Sequence, residues 1–491
     1  MSVWLEELSA IVLLLVVVGV VIARLPKTEI QHSTELRRRR LWNWLPLGLT
    51  YAFLYMGRYN LTVSKIAFET MEGDVGGGTL MGNADFGVIF AVGTWVYGIS
   101  FLLNGPLTDR FGGRFSILAG AGGSAVMNLV MGLVTASLLA GGTTADFFAR
   151  NFVVVFSILY GLNMYFQSFG AVAIVKVNAG WFHVRERGVF GAIFGILISL
   201  GIYFAFDLSK RILELAGLIW VFVIPAALLA IFWLIDVFVV RNTPSDAGLP
   251  DFDTADASSG DAGPPLAPQK VFLMMVRNPI IMTIALVEFC SGFLRQAIMQ
   301  WFRIFAKQTD AALGLVDSYI YEHWGMILCV AGISGGVLAG VISDHVFQSR
   351  RGPVAALLYG IMVAGALVLV FAYDSVLVLW MVVIMSMAVI GVHGMLSGTA
   401  SMDFGGRKNA GIAVGIIDGF VYLGTGVMSM TYALILPQEQ LDTAGKLTGP
   451  ATDPSNWLSW PVAMLPVAAI GFLLTLRVWN ARPKAAGVKA H

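Results

Sequence analysis

Charged side chains are scarce in this 491-residue chain. Only 12% of its residues are Asp, Glu, Lys or Arg, whereas 57% are hydrophobic. In a soluble domain about a quarter of the residues are charged, so this scarcity excludes a soluble enzyme. The net charge of +1 also leaves no basic surface for nucleic acid.

Cysteine, histidine clusters and phosphate-binding loops are equally scarce. The two cysteines, Cys290 and Cys329, lie in apolar runs and are expected to be buried packing residues without a disulfide. The six histidines form no metal-ligand pattern, and no Walker-type loop is present. We therefore expect no enzymatic activity, no metal and no cofactor, and ATP is not the evident energy source.

Long apolar runs are what the chain has in abundance. A run at 3–24 is followed by twelve more, which begin near 42, 82, 115, 149, 187, 217, 279, 318, 353, 375, 409 and 457. Apolar runs of about 18 or more residues predict transmembrane helices. The sequence thus predicts an all-α polytopic membrane protein with one extra N-terminal helix before a twelve-helix core.

Basic residues predict how these spans are oriented. Arginines at 37–40 and basic loops at 109–114, 183–188, 343–352 and 405–408 alternate with acidic or neutral loops. By the positive-inside rule, the basic segments face the cytoplasm. We expect a multi-pass protein of the cell (inner) membrane, with the N-terminus outside and the C-terminus in the cytoplasm.

The core divides into two similar halves. A Pro-, Gly-, Ser- and Asp-rich stretch at 242–270 has no apolar period and is typical of a flexible cytoplasmic linker. GPLTDRFGGR (105–114) resembles GVISDHVFQSRRG (340–352) at an equivalent place in the second half. The predicted division is an extra helix at 1–30, a six-helix half at 41–241, a linker at 242–278, a second half at 279–480 and a tail at 481–491.

Two arginines occupy equivalent places in the first helix of each half. Arg58 lies in YAFLYMGRYN and Arg295 in VEFCSGFLRQAIMQW. An intramembrane arginine costs several kcal/mol, roughly 2.5–3.5 on insertion scales, and marks a functional site by default. A phosphate that accepts two bonds from each guanidinium would explain both. The alternative is that each arginine pairs with an acid, and Glu288, two helical turns before Arg295, keeps that alternative open.

Tyrosines share the helix face of Arg58. Tyr51 and Tyr55 precede it by seven and three residues, which places all three on one side of a helix. Phenol hydroxyls can donate to phosphate oxygens without adding charge, although packing is the alternative use of such a stripe.

These segments resemble a known family. GPLTDRFGGR is similar to the cytoplasmic loop motif of the major facilitator superfamily. YAFLYMGRYN, FLRQAIMQW, RNTPSDAGLP, SDHVFQSRRG and GRKNAGIAVGIIDGFVYLG resemble its organophosphate:phosphate antiporters, which include bacterial glycerol-3-phosphate and hexose-phosphate transporters. The resemblance implies a major facilitator fold of two pseudo-symmetric six-helix halves.

The resemblance also implies a function and a set of ligands. It implies exchange of an organophosphate for inorganic phosphate by alternating access, in the lipid bilayer, by a protein expected to be monomeric. Arg58 and Arg295 match the two phosphate-binding arginines of the family, and its cavity tyrosines match Tyr51, Tyr55, Tyr97 and Tyr422.

The chain departs from the family at several cavity positions. Ile198, Tyr59 and Phe101 stand where family members carry histidine or lysine. Fewer cations suggest a different organophosphate and put the proton stoichiometry in doubt. Other ionisable residues in the spans are possible substrate or proton contacts: Lys176, Glu288, His393 and Asp418. Lys176 has snorkelling as its alternative, and the others have structural pairing.

The loop motifs are assigned to gating. Asp109 with Arg110 and Arg114, and Asp344 with Arg351 in the second half, are predicted to form cytoplasmic ion pairs that break when the halves rock. Their alternative role is a topology signal alone. Two alternative functions also stay open, namely a proton-coupled symporter of another organic anion and a non-transporting sugar-phosphate sensor.

Overall fold

The computed structural model describes residues 33–71, 73, 79–183, 186–252, 268–347, 350–442 and 444–480, without the side chains of 187–194, 268, 344–345 and 398–411. The predicted helix at 3–24, the middle of the predicted linker and the tail at 481–491 lie outside the described residues. The extra helix and the domain bounds therefore stay predictions.

Six long helices form the first half. They are α1 (Thr34–Phe68), α2 (Asn83–Phe111), α3 (Gly113–Ala140), α4 (Phe152–Trp181), α5 (Arg187–Tyr203) and α6 (Leu218–Val239). Shorter pieces are the helices Thr143–Arg150 and Ser209–Ala216, the π-helical segment Phe204–Leu208 that continues α5, and a 3₁₀ turn at Ser245–Ala247. The sequence starts α1 locally, because the Ser33 side chain accepts a bond from Leu36 N at 3.1 Å.

Six more long helices form the second half. They are α7 (Pro279–Met299), α8 (Trp324–Val341), α9 (Arg351–Ala372), α10 (Leu377–His393), α11 (Ser401–Ile435) and α12 (Ser459–Arg477). Shorter helices cover Pro268–Val276, Trp301–Gln308, Asp310–Leu313 and Tyr319–Glu322, with π-helical segments at Ile342–Val346 and Gly394–Ala400 and 3₁₀ turns at Pro450–Thr452 and Pro454–Leu458. The two-residue strands β1 (Gln440–Leu441) and β2 (Leu447–Thr448) pair antiparallel.

The predicted all-α membrane fold is confirmed. Among the described residues, ten helices are long and apolar enough to cross a membrane, and α1 and α5 complete the twelve predicted core spans. α1 carries polar residues such as Arg58 along its length, and α5 has only 17 residues before its π-helical continuation.

The two halves contact each other along α2 and α11 and along α5 and α8. Gly98 on α2 and Gly419 on α11 allow a close approach, since a β-carbon on Gly98 would lie 2.9 Å from Gly419 O. The two ends of the bundle are named below by residues that lie there. The Asp109 end is the predicted cytoplasmic one, and the Glu439 end is opposite, where α1 ends and α2 begins.

Candidate substrate site between the two halves

Arg58 lies on α1 at the centre of a shell of polar and aromatic side chains. Its Nε donates to Gln167 Oε1 at 2.9 Å, its Nη2 to the Tyr97 hydroxyl at 2.8 Å and its Nη1 to the Tyr422 hydroxyl at 2.8 Å. The guanidinium carbon also lies 4.6 Å from the ring centre of Tyr55. Tyr422 belongs to the second half, so this arginine already bonds across the interface.

The backbone around Arg58 is fixed by a polar network inside the first half. The Tyr160 hydroxyl donates to Arg58 O at 3.0 Å, and Asn163 Nδ2 donates to Gly57 O at 2.9 Å. Gln167 Nε2 donates to Asn163 Oδ1 at 3.3 Å, which turns the Gln167 carbonyl oxygen toward Arg58. This network on α4 holds the guanidinium in one orientation, and sequence patterns did not single it out.

Arg295 lies on α7 beside the same tyrosines, but its hydrogen bonding is very different. It is 7% exposed, and no described residue accepts a hydrogen bond from its Nε or Nη2. Tyr55, Tyr59, Tyr422 and Glu288 lie within electrostatic range of its guanidinium. Two buried donors without an acceptor among the described residues are costly, and an anion could serve as their acceptor.

The predicted tyrosines gather around the two arginines. The Tyr97 and Tyr422 ring centres lie 4.1 Å apart, and Tyr51 packs edge-on against Tyr55 at 5.3 Å. In a further bridge between the halves, Gln296 Nε2 donates to the Tyr59 hydroxyl at 2.8 Å, and Gln300 Nε2 donates to Gln296 Oε1 at 2.8 Å. Tyr59 thus joins α1 to α7.

Glu288, His393 and Asp418 form a second cluster next to Arg295. His393 Nδ1 lies 2.9 Å from Glu288 Oε2, and the Ser397 hydroxyl donates to Asp418 Oδ1. Asp418 lies within electrostatic range of His393, Glu288 and Arg295. The alternative that Glu288 is the hydrogen-bonded partner of Arg295 therefore does not match the geometry, because its bond goes to His393.

Lys176 lies away from this centre. It is nine residues beyond Gln167 on α4, about 13 Å along the helix, and its Nζ contacts Asp109 Oδ1 at 2.6 Å. The structure thus gives Asp109 a different partner from the predicted Arg110 and Arg114. Arg110 lies over the Phe111 ring at 5.2 Å, and Arg114 Nη2 donates to Val237 O at 2.5 Å. Neither arginine forms an ion pair with the Asp109 carboxylate.

Of the predicted pair of Asp344 and Arg351 in the second half, only the Arg351 side chain is described. The Asp344 side chain lies outside the described residues. Arg351 Nη1 donates to Met395 O at 3.3 Å, which ties α9 to the π-helical segment after α10. A pair between Asp344 and Arg351 stays a prediction.

A buried ion-pair network joins the halves at the Glu439 end. Lys65 Nζ contacts Glu439 Oε1 at 2.5 Å and also Glu69 Oε2. Gln308 Nε2 donates to Glu69 Oε2 and to Asn83 Oδ1, each at 3.0 Å. The five side chains, called the Glu439 network below, are almost completely buried. Lys65, Glu69 and Asn83 belong to the first half, and Gln308 and Glu439 to the second.

A helix cap adds a second connection between the halves. The Asp207 carboxylate, on the π-helical continuation of α5, accepts bonds from Gly325 N and Met326 N, each at 2.7 Å. These amides lie in the first turn of α8 in the second half, where a carboxylate is favoured by the helix dipole. Among the described side chains, no ion pair joins the halves at the Asp109 end.

Comparison with known proteins agrees with this architecture. The family model "Major Facilitator Superfamily" matches residues 47–429. "Probable hexose phosphate transport protein" of Chlamydia pneumoniae is 24% identical, with 94% of this chain and 97% of that protein covered. "Glycerol-3-phosphate transporter" of Bacillus subtilis is 24% identical, covering 91% and 94%. "Membrane sensor protein UhpC" of Salmonella typhimurium is 25% identical, covering 84% and 90%.

A solved structure supports the fold. A crystal structure of a mutant of the nucleoside transporter NupG matches with a TM-score of 0.57 and 13% identity over 91% of this chain and all of that one. The family resemblance and the prediction that the chain is no enzyme are thereby confirmed. The chain is a multi-pass membrane protein that belongs to the Major Facilitator Superfamily.

Proposed function

We propose that this chain is a secondary transporter that exchanges an organophosphate for inorganic phosphate by alternating access. The observation that carries the proposal is the guanidinium of Arg295, which is buried with two unpartnered donors beside the tyrosines that hold Arg58. The fork of an arginine matches a phosphate geometrically. The names of the relatives, a hexose phosphate and a glycerol-3-phosphate transporter, support the same substrate class.

Each half supplies one arginine to the proposed phosphate site. Arg58 belongs to α1 and Arg295 to α7, and the tyrosines between them come from α1, α2 and α11. A phosphate bound to both would take over the bond that now links Arg58 to Tyr422 across the interface. Binding would therefore exchange one contact between the halves for another, which is what a rocking movement around a bound anion requires.

The two ends of the bundle support a direction for the movement. The Glu439 network and the Asp207 cap close one end, whereas the ion pair of Asp109 lies within the first half. We propose that the protein is a monomer in the inner membrane. We also propose that, in the conformation described here, substrate reaches the site from the Asp109 end of the bundle. In the predicted orientation that end faces the cytoplasm.

Counterflow in proteoliposomes tests the function. Purified protein in phosphate-loaded liposomes should take up labelled glycerol 3-phosphate or hexose 6-phosphate, and unloaded liposomes should not. A carboxylate of similar size, such as glycerate, serves as the matched control and should not enter. Uptake of the carboxylate without internal phosphate would support the symporter, and binding without flux would support a sensor like the UhpC relative.

A further inference from the structure

The cluster of Glu288, His393 and Asp418 is not used by the proposed phosphate site. The three residues come from α7, α10 and α11, all in the second half. Glu288 is completely buried, and no described residue donates to its Oε1. A buried carboxylate of this kind has to be protonated or to lie near a positive charge, since an uncompensated buried charge is strongly destabilising.

His393 is placed to supply that charge. Its Nδ1 lies 2.9 Å from Glu288 Oε2, and its side chain is 21% exposed, so the ring joins a buried acid to an accessible space. When Nδ1 donates to Glu288, Nε2 is left as the proton acceptor. Imidazole is the side chain that gains and loses a proton near neutral pH. A proton from water on Nε2 turns the ring into an imidazolium between two carboxylates.

The surroundings of the cluster connect it to the phosphate site. The described titratable groups that face it are Arg295 and Cys290 on α7, Tyr359 on α9 and Tyr97 on α2. Arg295 is the only permanent cation among these, and its Nε and Nη2 make no hydrogen bond to a described residue, Glu288 included. Tyr97 interacts with Asp418 and also accepts a bond from Arg58. The cluster therefore borders both proposed phosphate ligands.

The backbone next to His393 departs from regular α-helix, which is a feature of many functional sites. α10 ends at His393 and continues as the π-helical segment Gly394–Ala400. That segment carries Ser397, whose hydroxyl donates to Asp418. π-helical turns inside helices are frequent at functional sites.

We propose that Glu288, His393 and Asp418 form a proton-binding site that fills together with the phosphate anion. Two carboxylates beside two arginines leave a nearly neutral cavity, which is unfavourable for a dianion. One bound proton restores a net positive charge next to the phosphate. Because coupling between two binding sites is reciprocal, phosphate binding favours the proton and the proton favours phosphate. The inference rests on the proposed function, since it takes phosphate as the partner of Arg295.

The pH dependence of phosphate affinity tests this inference. Inorganic phosphate is titrated into purified protein between pH 6 and 8, with wild type compared with His393→Gln. The ratio of the two affinities cancels the ionisation of phosphate itself. The wild type should lose affinity relative to the variant as pH rises, by up to about tenfold per pH unit, the limit for one linked proton. His323→Gln, a half-buried histidine near the Glu439 end, is the matched control and should follow the wild type.

A second variant keeps the test decisive if His393→Gln does not fold. Asp418→Asn retains the oxygen that accepts from Ser397 but removes a carboxylate next to the imidazole, so the pH midpoint should move to lower pH. Identical pH profiles for wild type and both variants would overturn the inference while leaving phosphate binding intact. Absence of phosphate binding at every pH would instead contradict the proposed function.

Discussion

Replacement of Arg295 by lysine should abolish exchange, and so should replacement of Arg58. Lysine keeps the charge but has no planar fork, so it cannot give a phosphate two parallel bonds. Each change should weaken phosphate binding by about 1.5–3 kcal/mol, the scale of a charged hydrogen bond, which corresponds to roughly a tenfold to more than a hundredfold loss of affinity. Exchange rates and phosphate titrations on purified variants measure both effects.

The two arginines differ in what else the change disturbs. Arg58→Lys also removes donors to Gln167, Tyr97 and Tyr422, so it should lower the thermal midpoint as well as the affinity. Arg295 has no such partners at its Nε and Nη2 among the described residues, and Arg295→Lys should leave folding nearly unchanged. Arg277→Lys, at an exposed position, is the control. Wild-type exchange by either Arg58→Lys or Arg295→Lys would refute the role of the pair.

Charge reversal in the Glu439 network should open the closed end of the bundle. Lys65→Glu or Glu439→Lys places like charges in a buried site, and breaking a buried pair costs roughly 3–5 kcal/mol. Either single variant should stop exchange, because the conformation closed at this end becomes unfavourable. A cysteine introduced at Gln308 should then react faster with a membrane-impermeant thiol reagent added from that side.

The swapped double variant separates this effect from simple misfolding. Lys65→Glu with Glu439→Lys again has one cation and two carboxylates, counting Glu69. It should recover part of the exchange and of the protection at position 308, as expected for coupled neighbours. Asp374→Asn, an exposed acid in the turn between α9 and α10, should change neither. No recovery in a folded double variant would mean that the network is not a contact that opens and closes.

The sequence was most informative where one helix carries the whole signal. The apolar runs located the core helices, although α1 and α11 begin eight residues before their runs. The stripe of Tyr51, Tyr55 and Arg58 followed from helical spacing within α1. The equivalence of Arg58 and Arg295 followed from the internal repeat. These features depend on local periodicity, which a single chain displays directly.

Contacts between distant segments could not be predicted in the same way. Lys65 and Glu439 are 374 residues apart, and nothing in either local segment identifies the other. The spacing of Lys65 and Glu69 by four residues was the available signal, since it places both on one helix face. Asp109 shows the same limit, because its partner Lys176 lies two helices further along the chain rather than in the adjacent loop.

Gln167 illustrates a further reason. Its carbonyl oxygen accepts from Arg58, yet an uncharged polar residue in a transmembrane helix gives no chemical signature. Its role depends on Asn163 and Tyr160 on the same helix face, which together fix the arginine. Only the packed structure distinguishes such a support from an ordinary buried amide.

The central claim is that Arg58 and Arg295 together bind one phosphate. The most direct measurement is a structure of the purified protein with bound arsenate, a heavier analogue of phosphate whose position is located by its anomalous scattering. We expect one arsenic peak between the two guanidinium groups, with oxygens at hydrogen-bond distance from Arg295 Nε or Nη2 and from Arg58, and no peak there in Arg295→Lys. A peak bound elsewhere, or Arg295 paired with Glu288 while arsenate is bound to neither arginine, would contradict the account.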